Sequence, residues 1–187
     1  MSTSTDSARR AQLLDRLFDY STSHGLSEVS LRPLAGAVGS SPRMLLYFFG
    51  SKDELVREVL RHSRGVQLRL LADTLAEQPD RTAALRALWA WISDPAHHNL
   101  VRFFFECYAR SLHDADAWRD FGQWSVTEWL PHITSALGST ESDATLVLAA
   151  IRGLMLDLLA TGDTDRVNAA FDRLLAAVTD QAVEGTP

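Results

Sequence analysis

Between Ser30 and Glu54 the chain stops and restarts a helix twice in 25 residues, and no other segment restricts the fold as tightly. After Ser30, the residues Leu31, Leu34, Ala35 and Val38 recur at i, i+3, i+4 and i+7, the spacing of one helical face. Pro33 is tolerated there because it falls in the first turn. Gly39 ends this helix and Ser41-Pro42 starts the next at once. The serine can cap free N–H groups, and proline takes the first helical position, where its missing donor costs nothing. Two short helices are therefore predicted to meet at a tight glycine turn. Ser51 and Glu54 then have capping-box spacing and open a longer helix through Leu55, Val56, Val59 and Leu60, predicted to reach about Leu75.

Helical spacing holds elsewhere. Leu13, Leu14, Leu17 and Phe18 mark a helix over 7–24 that stops at Gly25. Beyond Pro79 come DRTAALRALWAWIS, PAHHNLVRFFFECYARSLH and DADAWRDFGQWSVTEWLPHITSALG, then two very apolar helices over about 140–161 and 164–180. No segment alternates as a strand would, so the fold class is all-α. The start of the chain carries no apolar signal segment and no apolar run of membrane-spanning length is evident, which points to a cytoplasmic protein. The single cysteine, Cys107, lies among aromatics and reads as a small buried hydrophobe. His97 and His98 are adjacent and diverge on a helix, so they suit solvent or capping roles better than a shared metal.

The net charge of −6 argues against a polyanionic partner until the chain is divided. Residues 1–64 hold nine Arg or Lys against seven Asp or Glu, whereas residues 65–187 hold nine against seventeen. A mildly basic module on an acidic body suits a protein of which only the module faces phosphate. Two short helices joined at a glycine turn form a helix-turn-helix, whose second helix enters the DNA major groove by its N-terminal residues. On that helix Leu45 and Phe49 are four apart and face the core, which leaves Ser41, Pro42, Arg43 and Met44 as the free end. Arginine can bond guanine twice, methionine and proline suit thymine methyls, and the free N–H groups suit phosphate.

At these residues the sequence resembles the TetR (tetracycline-repressor) family of bacterial regulators. The resemblance runs from Leu13 to Leu60 and rests on SLRPLAGAVGSS, LLYFFGSKDEL and the all-helical remainder. It implies a three-helix DNA-binding domain over residues 1–50, with Ser51 opening a connecting helix, and an effector-binding and dimerisation bundle over 51–187. It further implies that Arg32 stands where some members read a base, that Lys52 meets a phosphate, and that Tyr47 touches the DNA backbone. Leu46 and Phe48 depart from the family pattern, since they lack the polar groups that usually reach phosphate there. DNA affinity then rests more heavily on Arg43, Tyr47 and Lys52.

The same resemblance implies an effector pocket and a twofold dimer bound to a palindromic double-stranded operator. Aromatics crowd the middle helices, and Trp89, Phe104, Tyr108, Phe121, Trp124 and Met155 are the candidates for a pocket taking a largely apolar or aromatic small molecule. Leu146, Ile151, Arg152, Leu158, Phe171, Leu174 and Val178 are the candidates for the dimer interface, with burial inside one chain as the alternative. Arg152 and Asp157 interrupt an apolar helix, and a contact to the second subunit ranks ahead of ligand binding or exposure. No cofactor, metal site, paired carboxylates or nucleophile arrangement is expected, which disfavours an enzyme. The alternative function is a helical ligand-sequestering or protein-interaction module that no longer reads DNA.

Overall fold

The computed structural model describes residues 2–26, 29–77, 81–113 and 115–184. Every regular element among them is helical: α1 (Ser2–His24), α2 (Leu31–Ala37), α3 (Pro42–Phe49), α4 (Lys52–Glu77), α5 (Arg81–Ser93), a 3-10 turn (Pro95–His97), α6 (His98–His113), α7 (Ala115–Thr127), α8 (Leu130–Leu137), α9 (Glu141–Thr161) and α10 (Thr164–Glu184). The all-α class is as expected, and α1 begins five residues ahead of its predicted start.

The helical segment expected across 114–138 contains two helices, α7 and α8. Pro131 lacks an N–H for the carbonyl of Thr127 and its ring crowds that position, so α7 stops at Thr127 and α8 opens at Leu130. At the break the Trp129 N–H donates to Val126 O at 3.0 Å. The capping box at α4 forms only by half. Ser51 Oγ accepts from the Glu54 N–H at 3.0 Å, but the Glu54 carboxylate pairs with Arg57 and the Ser51 N–H donates to Phe49 O. Ser30 has the extended backbone of a cap without a side-chain bond. A complete box closes the start of α9 instead, between Thr140 and Asp143. The hydrogen bonds from Thr140 hold the Asp143 carboxyl below its ordinary pKa.

Packing divides the chain into two compact units, residues 1–66 with 95–107, and residues 67–94 with 108–187. In the first, Leu17 of α1, Leu34 of α2, Leu45 of α3 and Leu55 and Val59 of α4 are fully buried, so the two short helices are held by the longer ones. Cys107 is buried there as well. The second unit is centred on α8, α9 and α10. Ile133, Val147, Val167, Phe171 and Leu175 are fully buried in its core, with Leu85, Leu88, Trp89 and Ile92 of α5 packed among them.

Candidate nucleic-acid interface

The α2–α3 turn is fixed by the backbone of Gly39. At φ +66° it places the Ser40 N–H on Ala35 O at 2.8 Å and its own N–H on Gly36 O at 3.2 Å, the paired bonds that close a helix through a left-handed residue. Arg16 of α1 donates to the neighbouring Val38 O at 3.3 Å, which ties the end of α2 to the first helix. Two residues later α3 starts as expected. Ser41 Oγ accepts from the Met44 N–H at 3.2 Å, with Pro42 in the first turn. Gly50 ends α3 at φ 78°, ψ −65°, a γ-turn in which the Ser51 N–H reaches Phe49 O at 2.9 Å.

Leu45 and Phe49 point inward, and the opposite face of α3 presents Ser41, Arg43, Leu46 and Tyr47 to solvent, with Pro42 and Met44 half-buried beside them. Several arginines of this unit are paired: Arg10 with Glu58 at 2.8 Å, Arg61 with Glu58 at 2.8 Å, and Arg57 with Glu54. Arg32, Arg43 and Lys52 have no ion pair or hydrogen bond among the described residues. The cations of the turn thus differ from Arg10, Arg57 and Arg61, which sit against carboxylates. Tyr47, 66% exposed, donates its hydroxyl to Asp6 Oδ2 at 3.3 Å and meets Phe48 edge-on at 5.0 Å. Phe48 is half-buried and its carbonyl accepts from Arg10 Nε at 3.4 Å. The position that lacks a polar side chain is therefore tied back to α1 through its backbone. Asp6 was missed in the sequence, and nothing local could have revealed a contact 41 residues away.

No family model matches the chain, and no curated protein does. Solved structures do. A transcriptional regulator from Rhodococcus sp. Rha1 matches with a TM-score of 0.69 at 21% identity, over 92% of this chain and 96% of its own. A proposed TetR-family transcriptional regulator from Rhodococcus sp. matches with a TM-score of 0.73 at 20% identity, over 92% and 97%. A third, a proposed regulator from Pseudomonas aeruginosa PAO1, gives 0.63 at 20% identity over 94% of both chains. The chain has the fold of these regulators. The expected resemblance thus extends from the helix-turn-helix to nearly the whole length.

Within this regulator fold, the aromatic candidates divide between the units. Phe104 lies in the first and the other five in the second. Trp89 belongs to the core: it is stacked on Phe171 at 4.7 Å, and its Nε1 donates to Asn168 Oδ1 at 2.8 Å. Phe121 is buried too, edge-on to Trp118 at 5.8 Å and tilted against Trp124 at 5.5 Å. Tyr108, Trp124 and Met155 are half-buried.

Arg152 requires a correction. It was expected first as a contact to a second subunit, but its Nη2 donates to Ser125 O at 2.6 Å and its guanidinium lies over the Tyr108 ring at 5.0 Å. Pro131 is the indirect cause. With α7 broken, the Trp129 N–H serves Val126 O, and Arg152 reaches the carbonyl of Ser125 one residue before it. Burial pulls the Arg152 pKa below its ordinary value, with Tyr108 opposing the shift. Asp157 is likewise engaged within the chain. Its carboxylate takes a two-pronged bond from Arg166 at 2.7 and 2.8 Å, which lowers the Asp157 pKa and raises that of Arg166.

Ile151, Leu158 and Phe171 are also corrected, because all three are buried in the core of the single chain, and Leu174 and Val178 pack partly against it. Leu146 alone of the seven is a large, exposed apolar residue, at 63%. Leu156, at 49%, joins it and was missed. The signal was present: Leu146, Ala149, Gly153, Leu156 and Ala160 step by 3, 4, 3 and 4, all exposed on one stripe of α9.

Proposed function

We propose that this chain is a ligand-responsive, sequence-specific DNA-binding transcriptional regulator. It acts as a homodimer and as a repressor released from a palindromic operator by a largely apolar or aromatic small molecule, with no cofactor. The observation that carries the reading is the outer face of α3, where Ser41, Pro42, Arg43 and Met44 form an exposed or half-buried first turn with Tyr47 one turn on, and where the basic side chains Arg32, Arg43 and Lys52 lack acidic partners among the described residues. Such an end offers backbone N–H groups to phosphate and an arginine fork to guanine.

The second copy is supported by α9. An 18-residue window of this helix has a mean hydropathy of 1.7, yet only 28% of it is buried within the chain. By length and composition such a helix could also cross a bilayer, but Arg152 and Asp157 fall inside it, and each is costly at membrane depth. Its exposed apolar stripe is one seam wide, the width that a partner helix covers. Pairing there gives a twofold dimer with two reading helices, spaced one DNA turn or multiples of it apart. Release is a population shift, in which a ligand favouring the wrong spacing weakens operator binding by its differential affinity for the two states.

The test is titration against labelled duplexes tiled across the chain's own upstream region at two salt concentrations. One palindromic tile is expected to bind tightly and salt-sensitively, and Lys52→Ala should lower the salt slope by roughly 0.9 for each phosphate that the lysine neutralises. Weak and uniform binding to every tile, unaltered by Arg43→Ala and Lys52→Ala, would refute the reading and favour a ligand-sequestering protein.

A further inference from the structure

Leu46 is 41% exposed on a helix whose apolar residues otherwise have a core to enter, as Leu45 and Phe49 do. It does not stand alone. Pro42 and Leu46 are four apart and lie about 40° from each other around α3, as do Arg43 and Tyr47. The outer face of the helix is therefore two parallel rows, one apolar and one polar, each one turn long. Helical side chains lean toward the N-terminus, so Leu46 covers the turn occupied by Pro42 and Arg43 and not the turn after it.

We infer that Leu46 is a specificity-determining residue: with Pro42 it forms an apolar row that reads the 5-methyl group of a thymine next to the base pair read by Arg43. The inference rests on the DNA-binding reading above. The Arg43 guanidinium suits the O6 and N7 acceptors of guanine, and an aliphatic tip about 60° round the helix suits the one apolar group on a major-groove edge. Residues three apart on a helix are roughly 5–6 Å from each other. Base pairs are about 3.4 Å apart, so the thymine falls one or two base pairs from the guanine. Loss of a polar group at this position, a weakness if the residue served only phosphate, becomes a change of task from backbone contact to base reading.

Thymine and deoxyuridine differ by that methyl alone, so the experiment replaces each thymine of the selected operator singly by deoxyuridine and measures the affinity of the full-length protein. Arg43→Ala first locates the base pair that arginine discriminates. Expected for the wild type is a loss of about fourfold per half-site at one position within two base pairs of it, the weight of one buried methyl. In Leu46→Ala, with folding checked by circular dichroism, the thymine operator should lose a similar factor and deoxyuridine should add nothing. In Leu46→Gln, selection from random duplexes should move that position from thymine toward adenine. Wild-type binding indifferent to deoxyuridine, a Leu46→Ala protein that keeps the sensitivity, or an unchanged selected base with Leu46→Gln would each overturn the inference while leaving DNA binding intact. Failure of the wild type to bind any duplex tightly would instead remove the reading on which it rests.

Discussion

Arg152→Ala tests how the second unit is held together. The wild-type guanidinium donates to Ser125 O at 2.6 Å and covers the Tyr108 ring at 5.0 Å. A hydrogen bond to a charged group contributes about 1.5–3 kcal/mol, and its loss here leaves the Ser125 carbonyl at a helix break without this donor. A partly desolvated cation–π contact adds roughly 1 kcal/mol. Against these stands the desolvation that lowers the Arg152 pKa, which the substitution relieves. The net expectation is a loss of about 2–3 kcal/mol, or roughly 4–12 °C in Tm for a chain of this size. Urea unfolding followed by tryptophan fluorescence should show a lower midpoint at an unchanged slope. A cycle with Tyr108→Leu should return a coupling of about 1 kcal/mol. The competing role, a contact to a second subunit, makes a different demand, because the destabilisation would then fade at high protein concentration. A loss below about 0.5 kcal/mol, the ordinary scatter of surface substitutions, zero coupling to Tyr108, or strong concentration dependence would refute the intrachain assignment.

Four further outcomes follow from the same geometry. Asp6→Ala should strengthen operator binding several-fold in a gel-shift titration, since it removes a negative charge beside α3 and frees the Tyr47 hydroxyl. Gly50→Ala should destabilise by about 1–3 kcal/mol in urea, because the γ-turn at φ 78° is strained for any residue with a Cβ even though the space around it is open. Leu146→Asp combined with Leu156→Asp should turn a dimer into a monomer by sedimentation while leaving the core packing untouched. The Asp157 pKa is depressed by Arg166, so the stability from this pair is present above the unfolded value of about 3.9 and is lost as pH falls through the folded value. Thermal melts below pH 4 should therefore show a smaller acid-induced drop for Asp157→Asn than for the wild type.

The helix-turn-helix was legible because its signals are local and of different kinds. Gly39 supplies the positive φ that other residues rarely adopt, Ser41 caps α3 and Pro42 fixes its first φ, and together they specify the α2–α3 turn without reference to anything distant. The apolar spacing of Leu34, Leu45, Leu55 and Val59 then names the core that the short helices share. What failed was wherever one group had two available partners. The Glu54 carboxylate is three residues from both Ser51 and Arg57, and the cation took it. Pro131 marks a break that apolar spacing conceals, because the spacing through Trp129, Leu130 and Ile133 continues across it.

The same ambiguity governs α9, where almost every position is apolar and periodicity cannot say which face turns inward. Ile151 and Leu158 are as hydrophobic as Leu146 and Leu156, yet the first pair is buried in the chain and the second is not. The distinction lies in the companions. Ala149, Gly153 and Ala160 share the outer stripe with Leu146 and Leu156, and small residues allow another helix axis to come close. Arg152 follows the same logic in reverse. Next to Ile151 and in an apolar helix it reads as a charge awaiting a partner subunit, until Pro131 in another helix opens the break that puts Ser125 O within its reach. A charged residue in an apolar helix therefore marks a contact, but its partner is chosen by backbone breaks elsewhere, which the residue's own neighbourhood does not encode.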